Sequence, residues 1–145
     1  AHNIMEVSVY KVQQRIADTF VSGRVALVGD AAHVNNPISG QGLNSGIHDA
    51  VALAKTLDQI INQFEDDVLL EEYSNERRRI IRDYINPGSD FTYSLMTARR
   101  HHEIASRNAS FQKIVTDLTS ARNFLLFGSM LADRIPQDED DPFKL

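Results

Sequence analysis

Apolar positions divide the 145-residue chain into segments of two different periods. At the start, Ile4, Glu6 and Ser8 alternate with Met5, Val7 and Val9. That period-two run predicts a strand with one buried face over residues 1–10. Val12–Phe20 has no clean period and reads as a short helical or irregular crossover. Val21-Ser22-Gly23 reads as a turn into Arg24–Val28, a short apolar run with β-branched Val25 and Val28 that predicts a buried strand. From about Leu43 the spacing becomes three-and-four: Ile47, Ala50, Val51, Ala54, Leu57, Ile60, Ile61 and Phe64 form one stripe of a helix. Gln63–Asp67 breaks that helix, and Asp66 or Asp67 can cap the next one. Val68–Ile85 then places Leu69, Tyr73, Ile80 and Tyr84 on one stripe. Asn86-Pro87-Gly88-Ser89 reads as a turn and as the clearest internal boundary. Helices follow at about 90–105, 110–120 and 121–133. The run Phe124-Leu125-Leu126-Phe127 with Met130 and Leu131 reads as core or as a lid against further domains, and 136–141 as an acidic tail.

Composition narrows the classes of function. The length suggests one small domain with enough residues for a real core. A net charge of −5 argues against a nucleic-acid partner. Without cysteine there is no disulfide framework, thiolate metal site or thiol nucleophile. No aliphatic run is long enough to span a membrane. With no secretory or transit signal recognisable at its start, the sequence is read as cytoplasmic. The sequence carries no signal for oligomeric state.

The chemistry concentrates between the predicted strand and helix. Gly29–Gly42 is a loop of small residues holding Gly29, Gly40, Gly42 and one acid, Asp30, which reads as buried. A helix start offers unpaired N–H groups and the positive end of the helix dipole. Glycines before it let a ligand come close to the backbone. Such a site suits an anion or an electron-rich ring that accepts hydrogen bonds. Asp30, just past the strand end, can accept hydrogen bonds from ligand hydroxyls, although backbone N–H groups are an alternative partner. His33 is read as structural, because no nucleophile elbow accompanies it. Asp49 is read as an acid in the first turns of the helix that suits the dipole, and His48 is assigned no chemistry.

This stretch resembles the second FAD-binding motif of the single-component flavoprotein monooxygenases of the aromatic-hydroxylase type. Gly29-Asp30-Ala31-Ala32-His33, then Pro37, Gly40, Gly42, Asn44 and Gly46, then Asp49-Ala50 carry the likeness. Arg15-Ile16-Ala17 and Gly23-Arg24-Val25 also fit. Close resemblance covers about residues 10–57, and Tyr73–Arg79 fits more loosely. Ser39 stands where many members have glycine. The family's opening GxGxxG motif, which holds the FAD pyrophosphate, is not found. Gly40, Gly42 and Gly46 make only a GxGxxxG without a following ribose-binding acid.

The resemblance implies an α/β parent with a three-layer FAD-binding fold and a substrate domain. This chain would be its C-terminal part, mainly α with about two strands. Residues 1–20 would end the substrate domain and its crossover, 21–65 would complete the FAD-binding domain, and 66–145 would form a helical region with the acidic tail. Partners would be the rest of the parent chain and a small aromatic substrate. The implied activity uses NAD(P)H and O2 to hydroxylate an aromatic or other electron-rich molecule through a flavin C4a-hydroperoxide, with the cofactor doing the chemistry. By resemblance Asp30 holds the ribityl hydroxyls, beside Gly29. Pro37 lines the flavin near C4a, and Gly40, Gln41, Gly42, Leu43 and Asn44 lie along its pyrimidine end. No residue is assigned proton transfer or metal binding. The rivals are a flavin-dependent halogenase or prenyl-chain reductase of the same fold, and an FAD-free helical interaction fragment. Such a fragment alone is expected to be inactive.

Several other motifs keep a bland reading. Arg15 is read as a surface charge rather than an active-site cation. Arg77, Arg78, Arg79 and Arg82 are interleaved with Glu71, Glu72, Glu76 and Asp83, so that cluster is read as a solvated or inter-domain salt-bridging face. His101-His102-Glu103 begins like a zinc motif, but Ser106 stands where the second histidine belongs.

Overall fold

The structure is a computed structural model, and it describes residues 5–9 and 11–129. Met5–Val9 has no regular structure, so the described part of the predicted first strand is absent. The acidic tail, Met130 and Leu131 lie outside the described residues. Among the described residues there are four two-residue strands: β1 (Arg15–Ile16), β2 (Val21–Ser22), β3 (Val25–Ala26) and β4 (His33–Val34). They form two antiparallel ribbons. β1 pairs with β4 through Arg15↔Val34 and Ile16↔His33, and β2 with β3 through Val21↔Ala26 and Ser22↔Val25.

The second ribbon is a hairpin closed by Gly23 and Arg24. Gly23 takes φ 56°, the left-handed value that such a two-residue turn needs at its first position. The crossover expected before Phe20 therefore contains a strand, and the strand expected at Arg24–Val28 shrinks to two residues. Val25 is 63% exposed rather than buried, because it faces outward from a lone ribbon.

Helices make up the rest: α1 (Gly42–Asn62), α2 (Val68–Ile80), α3 (Asn86–Thr97), α4 (His101–Thr116) and α5 (Leu118–Gly128). α1 ends at Gln63 with Phe64 in the left-handed conformation, so Phe64 closes the helix instead of extending its stripe. Asp66 starts α2, its Oδ1 accepting the Val68 N–H at 3.0 Å.

No turn separates α2 from α3. A π-helical turn over Ile81–Ile85 joins them, and the Asn86 N–H donates to the Ile81 carbonyl. Pro87 falls at the first positions of α3, where its missing donor is tolerated; the wider preceding turn takes up the irregularity. The Pro-Gly signal was thus absorbed by a helix rather than breaking it. Gly88 is needed there because a Cβ would sit 2.1 Å from Cζ of Phe127 in α5.

The core gathers where the ribbons meet α1 and α2. Phe20, Ala32 and Tyr73 are buried, with Ile16, Ala17, Val21, Leu27, Ala52 and Leu53 packed around them. Ser74 Oγ accepts the Phe20 N–H at 3.0 Å, and the Tyr73 hydroxyl donates to the Leu27 carbonyl at 2.9 Å. Two neighbouring residues of α2 therefore fix the chain on both sides of the hairpin.

The predicted stripe of α1 does not form this core. Ile47, Val51 and Ile61 are half or more exposed, and Leu57 is over a third exposed. The packed face carries Ser45, Asp49, Ala52 and Leu53 instead.

Candidate functional site

The loop between β3 and α1 folds as two short 3-10 turns around β4. The first, Gly29–Ala31, follows an extended Val28 and begins with Gly29 at φ 58°. The second, Pro37–Ser39, is capped by the Asn36 side chain, which accepts the Ile38 N–H at 3.1 Å, and it ends at Gly40 in the left-handed conformation with φ 68°. A non-glycine residue would be strained at either glycine. Among the described residues no side chain caps the start of α1, so its first N–H groups are left for another acceptor.

These turns and the first half of α1 surround an open cleft of about 600 Å³. Gly29, Asp30, Pro37, Gly40, Gly42 and Leu43 line it, together with Val34, Asn35, Gly46, Ile47 and Ala50. Six of the eight residues picked from the sequence thus meet in one place. Gln41 and Asn44 do not line the cleft. The Gln41 side chain is buried and turned the other way, its Nε2 donating to the Phe127 carbonyl of α5 at 3.3 Å. Asn44 is exposed on α1. Ile47 and Ala50 were read as part of the helical stripe, and Gly46 and Ala50 as motif residues, but none of the three was assigned to the cofactor.

Behind the cleft lies a buried polar cluster that the sequence reading did not assemble. Asp49 is fully buried. Its Oδ2 lies 2.6 Å from His33 Nε2 and accepts the Gly29 N–H at 3.2 Å, while its Oδ1 accepts from Arg77 Nε at 2.6 Å. Asp49 is eight residues into α1, so the expected partnership with the helix dipole is replaced by these three donors. Arg77 is 8% exposed and leaves the solvated face assigned to its cluster. Arg79, by contrast, pairs with Glu76 on the surface as expected, and Arg82 pairs with Asp83. His33 is buried and bonded to Asp49 through Nε2; its ring stacks on Phe20 with centroids 6.0 Å apart, and its Nδ1 has no hydrogen-bond partner among the described residues.

Burial alone would raise the Asp49 carboxyl. The hydrogen bonds from His33 and Arg77, with their charge, outweigh that and hold it below the ordinary carboxylate range. The Tyr73 phenol is pushed up to about 12 by burial and then by the nearby Asp49 charge.

Close backbone contact lets this cluster reach the loop. A Cβ on Gly46 would lie 3.4 Å from the Gly29 Cα, and one on Gly29 would lie 3.6 Å from the Gly46 Cα. α1 can therefore press against the first turn, and Asp49, three residues past Gly46, meets the Gly29 N–H. A second set of contacts supports the Pro37–Ser39 turn from the C-terminal helices. Ser39 Oγ and Ser89 Oγ are 2.8 Å apart, and Ser89 is fully buried.

The remaining motif of interest is explained by capping. Glu103 Oε2 accepts the Arg99 and Arg100 N–H groups at 3.0 Å each, which starts α4. Among the described residues no group of His, Asp and Glu is arranged to hold a metal ion. Among them, too, no helix is long and apolar enough to cross a membrane.

The Asp30 carboxylate, expected to be buried, is instead exposed on the cleft. An exposed carboxylate suits hydroxyls, an uncapped helix start suits an electron-rich edge, and an apolar wall of Val34, Pro37, Leu43 and Ile47 suits a flat ring. The sequence profile of the FAD binding domain family matches residues 1–86. The chain belongs to that family. It is 34% identical over 125 residues to para-nitrophenol 4-monooxygenase of Pseudomonas sp., covering 86% of this chain and 31% of the relative. It is 38% identical over 86 residues to 6-hydroxy-3-succinoylpyridine 3-monooxygenase of Pseudomonas putida, covering 59% of this chain and 22% of that one. The crystal structure of p-nitrophenol 4-monooxygenase from Pseudomonas putida superposes with a TM-score of 0.78 at 36% identity, covering 88% of this chain and 33% of that chain. This FAD-binding-domain chain therefore has the FAD-binding monooxygenase fold over most of its length, and spans about a third of the first relative.

Proposed function

We propose that this chain contributes the flavin-ring side of the FAD site in a monooxygenase that uses NAD(P)H and O2 to hydroxylate an aromatic small molecule of the phenol class. The observation that carries this reading is the cleft itself, where an exposed carboxylate, two glycine-bearing turns and an uncapped helix start face one volume. The named activities of the relatives support the choice of a hydroxylase over a halogenase or a reductase. In this reading Gly29, Asp30, Pro37, Gly40, Gly42 and Leu43 hold the cofactor, with Gln41 and Asn44 contributing through the backbone at the helix start.

Each of these groups has a definite task. Asp30 accepts hydrogen bonds from the ribityl hydroxyls. The N–H groups at the start of α1 favour negative charge on the pyrimidine edge, a preorganised electrostatic contribution. Pro37 gives an apolar surface, and Gly40 has no side chain to block close approach. Bound FAD supplies the redox chemistry; the chain binds it, orients it and keeps water from one face. Residues 21–65 would form the cofactor-facing unit and 66–129 the helical support behind it. A cytoplasmic setting belongs to the same reading, since NAD(P)H is available there.

The test is a titration of the full-length protein with FAD, followed by NADH and NADPH oxidation with and without 4-nitrophenol or another phenol. Saturable flavin binding and phenol-stimulated oxygen consumption with a hydroxylated product support the reading. Flavin binding with halide-dependent product would move the assignment to a halogenase. A full-length protein that binds no FAD would refute it.

A further inference from the structure

We infer that Asp49 is a positioning residue for the cleft: through Oδ2 it sets the Gly29–Ala31 turn, and with it the Asp30 carboxylate, without itself touching the ligand. The inference rests on the flavin reading above and goes beyond it, because Asp49 lies outside the cleft and is fully buried.

The geometry distinguishes this from simple helix anchoring. One carboxylate oxygen receives both the Gly29 N–H and His33 Nε2. Those two residues bracket Asp30, so a single atom ties both ends of a five-residue stretch. Asp30 is exposed and its side chain makes no hydrogen bond among the described residues, so its position depends on the backbone that carries it. Gly29 is at φ 58°, and that backbone shape brings its N–H toward α1. An anchor between α1 and α2 would need only Oδ1 and Arg77. The second oxygen serves the turn. Arg77 balances the charge, which lets a carboxylate stay buried behind a site that binds a ligand. A ligand group held by Asp30 gains affinity from a carboxylate already fixed in place, since less ordering remains to be done on binding.

The experiment compares Asp49→Asn, His33→Ala and His33→Gln in the full-length protein, with FAD as the probe. Asn keeps the volume of Asp but has one acceptor oxygen, so it cannot serve Arg77 and the turn together. Gln at position 33 can still donate to Asp49, whereas Ala cannot. Asp117→Ala, which removes the remote cap on the Ser120 N–H, is the control for general loss of stability. All are measured well below their melting temperatures.

The expected result is FAD binding weakened on the order of tenfold in Asp49→Asn and His33→Ala, from loss of a charge-assisted contact. The visible circular dichroism of bound flavin should change in both, His33→Gln should recover affinity and spectrum, and Asp117→Ala should leave both as in the wild type. The inference is overturned if folded Asp49→Asn and His33→Ala bind FAD within about twofold of wild type with an unchanged spectrum. It is also overturned if affinity simply follows melting temperature across all four variants. Should Asp49→Asn fail to fold, the His33 pair decides alone. A wild type that binds no FAD is a different outcome: it removes the flavin reading itself.

Discussion

Replacing Arg77 by alanine tests how the buried cluster behaves energetically. Arg77 lies 2.6 Å from Asp49 through Nε, and the two are 8% and 0% exposed. Removing one partner of such a pair leaves an uncompensated buried charge, which costs about 3–5 kcal/mol. Two details place this case toward the lower end of that range. Asp49 keeps the Gly29 N–H and His33 as donors, and the Arg77 Nη2 group is itself buried with no partner among the described residues, so its removal relieves one unmade hydrogen bond. About 3 kcal/mol is still a large part of a typical folding stability of ~5–15 kcal/mol. The double variant Asp49→Leu with Arg77→Met should be less destabilised than the sum of its parts, because the two charges leave together, but it stays below wild type because the Gly29 N–H and His33 Nε2 lose their acceptor.

The pH dependence gives an independent check. The folded wild-type Asp49 titrates below its ordinary 3.8, so its contribution is present above that value and is lost as pH falls through the folded value. In Arg77→Ala the burial penalty is no longer offset by the guanidinium, and Asp49 takes up a proton more readily. The difference between wild type and variant should therefore narrow as pH falls from 7 towards 4. Urea unfolding of the full-length protein at several pH values, followed by far-ultraviolet circular dichroism, measures it. A loss below about 1 kcal/mol at pH 7, the scale of an exposed ion pair, would refute the reasoning. So would a loss that does not change with pH.

Two glycines offer further tests. Gly42→Ala places a methyl where nothing lies within 4 Å, so the ligand-free protein should be as stable or up to ~1 kcal/mol more stable. Because Gly42 lines the cleft, FAD affinity should fall in the same variant; a rise in both melting temperature and affinity would mean the methyl does not face the ligand. Gly88→Ala brings a Cβ to 2.1 and 2.5 Å from the Phe127 ring, which must then leave its place. Overpacking of this kind costs about 1–3 kcal/mol, and Phe127→Leu in the same chain should recover part of it in a thermal melt. If Phe127→Leu gives no recovery, the ring is not what excludes a side chain at position 88.

The turns of the site were legible because their chemistry is local. Gly29, Gly40 and Pro37 carry backbone demands that no other residue meets as well, and Asp30 is the lone acid among them. The cluster behind them was not legible. Nothing in the spacing of Asp49 says that it is inside, since an acid early in a helix has an adequate explanation in the dipole. Its partner is 28 residues later, inside a run of arginines that exposed acids already balance, and the run itself does not say which arginine turns inward. The Asn86-Pro87-Gly88 signal failed for a related reason. Each residue disfavours an ordinary helix interior, but a π-turn before Pro87 and an aromatic ring over Gly88 change what each position requires.

The inversion of α1 follows from the same physics. A helix that must come within van der Waals distance of a backbone turn cannot present large side chains there, so its packed face carries Ser45, Gly46 and Asp49. Large apolar residues are then confined to the other side, where Leu43 and Ile47 form part of the cleft wall and Val51 and Ile61 continue the stripe. Reading the stripe as the core of this chain assumed that packing is set by area. Here the closest packing belongs to the smallest residues, because what they deliver is a carboxylate to the Gly29 N–H rather than buried hydrocarbon. The polar inner face and the apolar outer face are therefore two halves of one requirement: the turn that presents Asp30 is held from within, while the wall beside it is left open to the cleft.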